Sequence, residues 1–356
     1  MVVDDLIKRS SAWISARRSS GVVISSRIRL ARNVHGVAFP GWAGGDECKR
    51  LFARLRDALT SLDELGDAVV LCVDELAPVE REVLRERRLI SPELVERGNK
   101  GAGSGLVVAK QQRIAVMINE EDHLRLQVMR PGLDLTAAWR LLNRIDSELE
   151  QRIPYAFSSE LGYLTACPSN VGTGMRVSVM LHLPGLKLLD EMEPVAKGLN
   201  RMGMAVRGTF GEGSDAFGNL YQVSNQTTLG ISESDTVACI QDMAETLVEL
   251  EENARARLME QRKIQVLDYV NRAFGILQYA QIMSSGEALD LLSGLRLGLE
   301  SDILTGVAAN RLNELMLATQ PGHLQKMAKH ELSIEERAVQ RARLIRRKLK
   351  GLSLVA

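Results

Sequence analysis

The sequence predicts an α+β fold, and three observations carry that prediction. Strand-like alternation recurs from Val22 to about Ser224, amphipathic helices are interleaved with it, and from Asp235 the pattern is helical almost to the end. The 356 residues suffice for two domains, and 45% apolar residues support a sizeable core. Aromatics are only 4%, so that core must rest on Leu, Val, Ile, Ala and Met.

Residues 1–20 read as a short helical or mobile lead-in. From Val22 to Leu30, Val22, Ile24, Ser26, Ile28 and Leu30 share one face and Val23, Ser25, Arg27 and Arg29 the other, which sets two arginines side by side on a strand. Asp46–Leu65 and Pro78–Arg88 have amphipathic helical spacing. Gly98–Gly105 reads GNKGAGSG; it precedes a strand (Leu106–Lys110) and lacks the GxxxxGK[ST] pattern, so a hairpin turn is expected rather than a phosphate loop. Arg113–Asn119 and Leu124–Met129 form paired strands across the tight turn Glu120-Glu121-Asp122-His123. A helix over Leu133–Arg152, a strand over Met175–Leu183 and a helix over Pro184–Met202 follow. Val206–Leu220 is Gly-rich and reads as a mobile loop. One long helix is expected over Asp235–Phe274, then a small bundle to Leu349, with a domain boundary near Ala254 dividing 1–254 from 255–356.

Lys plus Arg and Asp plus Glu number 45 each, so net charge calls for neither nucleic acid nor an anionic membrane as partner. Arg dominates the basic residues, and its planar fork suits phosphate. The opening MVVDDLIKRS shows no signal-peptide pattern, and apolar runs such as Ala68–Val73 are too short to span a bilayer. Cys48, Cys72, Cys167 and Cys239 are scattered without a CxxC, which argues against a protein-bound metal or a disulfide framework and predicts a reducing, cytoplasmic location.

Arg27, Arg29, Arg125, Arg176 and Arg207 each fall on a strand or strand edge. Singly they read as solvated surface residues; gathered on one sheet face they would need an anion between them, and a nucleoside triphosphate is the obvious one. The three carboxylates of the 120–123 turn read either as a solvated acidic loop or as a pocket for a cation, and Glu212 on the Gly-rich stretch as a second acid on a lid. Cys167 is either a small buried apolar residue or, given its turn-rich polar setting, an exposed reactive thiol.

Four segments, Ser25-Ser-Arg-Ile-Arg-Leu-Ala-Arg32, Asn119-Glu-Glu-Asp-His-Leu-Arg125, Cys167-Pro-Ser-Asn-Val-Gly-Thr-Gly-Met-Arg176-Val-Ser and Arg207-Gly-Thr-Phe-Gly-Glu212, occur in this order. Together they resemble the ATP:guanido phosphotransferase family, the fold of creatine and arginine kinases. The resemblance implies a phosphagen-kinase-like catalytic domain with a central, mostly antiparallel sheet flanked by helices, followed by a helical C-terminal domain.

Within that family the chain resembles the bacterial protein-arginine kinases. Little sequence precedes the first motif, Met180 stands where phosphagen kinases carry His, and the region after Ala254, including Leu312-Asn-Glu-Leu-Met and Gly322-His-Leu-Gln, is similar to their extra domain. The resemblance implies ATP and Mg²⁺, with Arg27, Arg29, Arg125, Arg176 and Arg207 on the phosphates. Ile24, Ser25, Ser26, Arg27 and Ile28 would line the nucleotide site, as would Arg176, Val177, Ser178, Val179 and Met180, and Arg207, Gly208, Thr209, Phe210, Gly211 and Glu212. Glu121 would be the base, Glu212 would pair with the far side of the guanidinium, and Cys167 would sit against the same group as a thiolate. The chemistry is consistent: a guanidinium of pKa about 12 or above must lose a proton as it attacks phosphorus.

Two departures stand out. Arg88 replaces the adenine-side His before Leu89-Ile-Ser-Pro92, and is expected to stack on the base. In the last helix, Arg337, Ala338, Val339, Gln340, Arg341 and Ala342 match an allosteric phosphoarginine pocket, except that its carboxylate is replaced by Ala338. The implied partners are proteins with accessible arginines, a zinc-finger activator, a heat-shock transcriptional repressor, a Clp AAA+ protease and a second copy of the chain in a homodimer. A kinase for a small free guanidine and a non-catalytic phosphoarginine adaptor are the competing readings.

Overall fold

The computed structural model describes residues 2–11, 13–14, 21–97, 103–208, 217–328 and 330–355. α1 (Val2–Lys8) buries Val3 and Leu6. β1 (Val23–Arg32) keeps Arg27 and Arg29 largely but not fully buried, alternating with fully buried Ile28 and Leu30 as a two-residue period demands. α2 (Gly45–Thr60) buries Leu51, Phe52, Leu55 and Leu59 along one stripe. β2 (Val69–Cys72), α3 (Pro78–Glu86) and α4 (Pro92–Arg97) lead to β3 (Gly105–Val108). β4 (Ile114–Ile118) and β5 (Leu124–Pro131) form the expected hairpin and α5 (Leu135–Glu150) the expected helix. A small hairpin, β6 (Phe157–Ser158) with β7 (Gly162–Tyr163), precedes β8 (Met175–His182). Then come α6 (Pro184–Leu188), α7 (Met192–Arg201), β9 (Met204–Gly208) and β10 (Leu220–Asn225).

The remainder is helical: α8 (Glu233–Gln261), α9 (Lys263–Tyr279), α10 (Ser285–Glu300), then β11 (Leu304–Thr305), α11 (Ala309–Ala318), α12 (Pro321–Ala328), α13 (Ile334–Lys348) and β12 (Ser353–Leu354). α10 and α13 start where they do because Ser284 with Glu287, and Ser333 with Glu336, form reciprocal capping boxes. No helix among the described residues is long and apolar enough to cross a membrane.

Several elements differ from the sequence expectation, among them the helix expected over Asp46–Leu65, which ends at Thr60 and leaves Asp63–Leu65 as a separate 3₁₀ turn. The helix expected over Pro184–Met202 is interrupted at Asp190, which takes φ 59°, a left-handed conformation that Asp tolerates. The single helix expected over Asp235–Phe274 breaks at Arg262 (φ −135°), and α9 then packs on α10. That contact is close because α10 offers glycines: a Cβ on Gly298 would lie 2.5 Å from Val270. Val206–Gly208, expected as loop, is strand β9. Most of the expected turn at Gly98–Gly105 lies outside the described residues; Gly105 is required because a Cβ there would meet the Phe52 ring at 2.0 Å.

Hydrogen-bonded neighbours in the main sheet run β2-β3-β4-β5-β1-β8-β10-β9. The pairs β2–β3, β3–β4, β4–β5 and β1–β5 are antiparallel. Contacts divide the chain into a unit of Met1–Trp13, Ser25–Ser178 and Ser224–Gln241 and a unit of Ile14–Ile24, Val179–Val223 and Asp242–Ala356.

The first unit contains a buried ion pair. Arg32 Nη2 lies 2.7 Å from Asp146 Oδ2, and Arg32 Nη1 donates to the carbonyls of Ala31 and Thr173 at 3.0 and 2.9 Å. Asp146→Ala leaves that guanidinium buried without its carboxylate. We expect a loss of about 3–5 kcal/mol of stability, measured by urea or thermal unfolding. The second unit has its own network: Arg255 pairs with Glu251 and Glu300 at 2.6 Å each, Arg296 pairs with Glu300 at 2.8 Å, and His182 Nε2 lies 2.7 Å from Ser293 Oγ.

Candidate active site

Sheet register gathers the arginines of the first unit. In the β1–β5 pair, Arg27 lies opposite Met129, Arg29 opposite Gln127 and Ala31 opposite Arg125. Opposed residues project from the same face, so Arg27, Arg29 and Arg125 share one. On the other side of β1, Ala31 N–H donates to Gly174 O at 2.8 Å and Ser178 Oγ to Arg27 O at 3.4 Å, which brackets Arg176 against Arg29.

A further guanidinium joins them. Arg88 follows the last turn of α3 in the left-handed conformation, φ 62°. Its N–H reaches Arg85 O at 2.8 Å and Leu89 N–H reaches Leu84 O at 2.9 Å, the paired bonds of a Schellman ending in which glycine is usual. Gln127 Nε2 donates to Arg88 O at 2.7 Å, and the Arg88 guanidinium stands 5.2 Å from the Trp13 ring centre. The sequence reading assigned Arg88 to the adenine and missed its place among the arginines; a bulky cation at a left-handed position is recognisable only once the helix ending is seen.

The electrostatics confirm the crowding. Burial, then Arg88, Arg125 and Arg176, push Arg27 down to about 9. Burial, then Arg27, Arg125 and Arg176, hold Arg29 well below the ordinary guanidinium range, with Glu120 opposing. Burial and Arg29 push Arg88 down to about 10. Arg29 Nε is buried and has no hydrogen-bond partner in the structure. Each of these cations is less favourable in the fold than in water, and a polyanion laid across the face reverses that penalty. ATP or tripolyphosphate should therefore raise the unfolding midpoint, by the equivalent of about 2.7 kcal/mol at 100 times its Kd. A thermal shift series checks this, and added salt should shrink the shift.

The 119–123 turn is not a solvated loop. Asn119, Glu120, Asp122 and His123 are all buried, and Asn119 takes φ 53°. Glu120 Oε1 binds Arg125 Nη1 at 2.6 Å. Asp122 Oδ1 accepts from Asn33 Nδ2 at 2.6 Å and from Ala166 N–H at 2.7 Å. His123 Nδ1 accepts from Val34 N–H at 3.0 Å, so its Nε2–H donates to Ala38 O at 2.8 Å, and burial lowers its pKa. Two of the three acids are thus engaged in tying the turn down. Glu121 remains accessible, its side chain 41% exposed and 3.5 Å from Arg125 Nη2. Burial raises its pKa, Arg125 opposes, and Asp122, Glu120 and Glu93 add to the rise.

The Asp122–Ala166 bond brings the Cys167 loop beside this turn. Cys167 is half-buried ahead of the short 3₁₀ turn Pro168–Asn170, with its Sγ 3.0 Å from Ser169 Oγ. Asn33 is the hub the sequence reading overlooked: its amide also holds Leu164 O at 3.0 Å, and its Oδ1 accepts His123 N–H at 2.9 Å.

Ser25, Ser26, Ile28 and Val177 are buried in the first unit, where Ser26 Oγ bonds Gly132 O at 2.7 Å. Ile24, Val179, Met180, Arg207 and Gly208 belong to the second unit, Arg207 and Gly208 ending β9. Thr209, Phe210, Gly211 and Glu212 lie outside the described residues. In the second unit, Arg337, Ala338 and Arg341 line a cavity of about 480 Å³ with Ser284, Ser285 and Glu287. Arg341 spends Nε on Thr319 O and Nη1 on Met283 O, each at 2.8 Å. Val339 is exposed, Ala342 is buried, and Gln340 lines a separate cavity with Arg343 and Arg347.

Among the described residues no group of three or more His, Cys, Asp or Glu surrounds a common point.

Comparison with known proteins agrees with this geometry. Residues 50–254 match the ATP:guanido phosphotransferase C-terminal catalytic domain, and residues 263–354 match the protein-arginine kinase McsB C-terminal domain. A protein-arginine kinase of Pelotomaculum thermopropionicum is 43% identical over 346 residues, covering 96% of each chain. One from Moorella thermoacetica is 44% identical over 349 residues, covering 97% of this chain and 99% of its own. The crystal structure of a lombricine kinase superposes with TM-score 0.58 at 25% identity, covering 72% of this chain and 76% of its own. A central antiparallel sheet bearing clustered arginines, a helical C-terminal region and near full-length relatives all agree: the chain belongs to the ATP:guanido phosphotransferase family and, within it, to the protein-arginine kinases.

Proposed function

We propose that the arginine face holds the ATP triphosphate while Glu121 prepares the guanidinium of a protein-bound arginine to attack it. The supporting observation is the gathering of Arg27, Arg29, Arg88, Arg125 and Arg176 around one face, with Glu121 tethered at its edge by Arg125. The family resemblance assigns the remaining phosphate and nucleotide contacts to Arg207 and to the segments Ile24–Ile28, Arg176–Met180 and Arg207–Glu212. In the transfer, a guanidinium nitrogen forms a bond to the γ-phosphorus, the bond to the β–γ bridging oxygen breaks, ADP leaves, and the nitrogen's proton passes to Glu121. Cys167 flanks the guanidinium and helps fix its plane, and the family resemblance assigns the acid on its far side to Glu212. The arginines neutralise charge on the transferring group and keep donor and acceptor in line. Mg²⁺ bound to the nucleotide would supply further charge neutralisation.

The test is incubation with ATP, Mg²⁺ and an unstructured arginine-rich protein. Acid-labile phosphate on arginine side chains is expected, formed faster than on free arginine. Turnover of free arginine with no phosphate on protein would reassign the site to a small guanidine.

The finer reading follows the family. Residues 1–254 form the catalytic domain and 255–356 a C-terminal regulatory domain. The cavity at Arg337 and Arg341 binds phosphoarginine; two Arg341 donors and one Arg337 donor are committed to backbone carbonyls, and with Ala338 in place of a carboxylate discrimination for the guanidinium is weak. The kinase acts as a cytoplasmic homodimer in the stress response. It is stimulated by a zinc-finger activator, acts on a heat-shock transcriptional repressor, and marks proteins for a Clp AAA+ protease.

A further inference from the structure

The β6–β7 hairpin stands beside the Cys167 loop and carries an apolar face that the transfer chemistry does not use. Phe157 is 57% exposed and Leu161 47% exposed. Tyr163 packs edge-on against Phe157, with ring centres 5.2 Å apart. The hairpin is firmly held: Tyr163 N–H donates to Gly172 O at 2.8 Å, Leu164 N–H to Ala156 O at 2.9 Å, and the Arg32 guanidinium lies 3.5 Å from the Tyr163 ring centre. The Asn33 amide that fixes Asp122 also fixes Leu164 O, so the hairpin and the turn bearing Glu121 share one anchor. A rigidly mounted, exposed aromatic–aliphatic tip is the kind of surface that docks a partner.

Charge around the tip selects the partner. Glu160 is exposed within the hairpin. Glu150 and Glu233 act on the Tyr163 hydroxyl, whose pKa is raised by burial first and by Asp146, Glu150 and Glu233 in addition, against Arg32. An apolar tip rimmed by carboxylates complements a cationic chain that also exposes large apolar side chains, which describes an unfolded polypeptide around an arginine. Leu161 and Cys167 are six residues apart, at most about 21 Å of extended chain. A bound strand advances about 3.3 Å per residue, so Leu161 at the tip lies within about six positions of the reacting arginine.

We propose that the β6–β7 hairpin is a substrate-docking face that seats a large apolar side chain of an unfolded polypeptide within about six residues of the arginine being phosphorylated. The proposal rests on the reading that Glu121 and Cys167 mark the acceptor end of the site. It makes the kinase prefer arginines that sit in normally buried, apolar sequence.

The test uses the full chain and single-arginine peptides that carry leucine or serine at about two to six positions from the arginine. The expected result is a KM about fivefold lower for the best leucine peptide than for its serine counterpart, from partial burial of one aliphatic side chain. Phe157→Ser and Leu161→Ser should erase that difference while leaving the serine-peptide KM and kcat and the KM for ATP unchanged. Phe157→Leu should retain it. Equal KM values for the two peptides in the unsubstituted protein, or a preference that survives both serine variants, overturns this face alone. Failure to phosphorylate any peptide overturns the assignment of the acceptor site and this face with it.

Discussion

Glu121→Gln should lower kcat by roughly 100- to 10,000-fold, the range lost when a positioned general base is removed. The reason is geometric as well as chemical. Of the acids in the turn, Glu120 is committed to Arg125 and Asp122 to Asn33 and Ala166, so neither can take over the role. Glutamine keeps the shape and the approach to Arg125, so the KM for ATP and the polyanion-induced rise in unfolding midpoint should be retained. The pH profile gives an independent reading. Burial raises the Glu121 pKa above the usual carboxylate value, and the base acts only when ionised. The unsubstituted enzyme should lose kcat/KM as pH falls through that raised value, and the residual activity of the glutamine variant should lack this limb. A glutamine variant with unchanged kcat would remove Glu121 from the chemistry.

Arg29→Met should reduce kcat/KM by about a thousandfold, on the scale of a single arginine that stabilises phosphoryl-transfer charge. Its effect on the resting protein should have the opposite sign. Arg29 sits among Arg27, Arg125 and Arg176 with its Nε unbonded, and its cation is disfavoured in the fold. Removing it relieves repulsion, so the unfolding midpoint without nucleotide should rise while the increase produced by ATP shrinks. Arg29→Lys should fall between, because an ammonium keeps the charge but loses the planar fork. Paired scans with and without ATP on the three proteins check this. A methionine variant that is both less stable and equally responsive to ATP would show Arg29 to be structural.

Much of the fold was legible because its elements carry their periods openly. The alternation through Val22–Leu30 predicts a strand with Arg27 and Arg29 on one face, found as β1, and the apolar stripe of α2 is plain in its spacing. The breaks were less legible. The one at Asp190 has a signal in Pro194, which in a continuous helix would leave the Asp190 carbonyl without its donor and clash with it, whereas the one at Arg262 has no proline or glycine beside it and shows only in the fold. The acidic turn shows the same divide at the site. Sequence spacing could not tell a solvated loop from a pocket, because the distinction lies in what Asn33, Arg125 and Ala166 do from elsewhere in the chain.

By itself, then, the sequence determined which residue types the chemistry has available, and that the strand and helix bearing them would form, since local periodicity and side-chain chemistry are properties of the chain. Only the tertiary structure decided which of them meet. Antiparallel register sets Arg125 diagonally across from Arg29, a Schellman ending swings Arg88 in among the arginines, and long-range hydrogen bonds consume Glu120 and Asp122 while sparing Glu121. Register and hydrogen-bond partnership depend on residues far apart in sequence, and no local pattern records them.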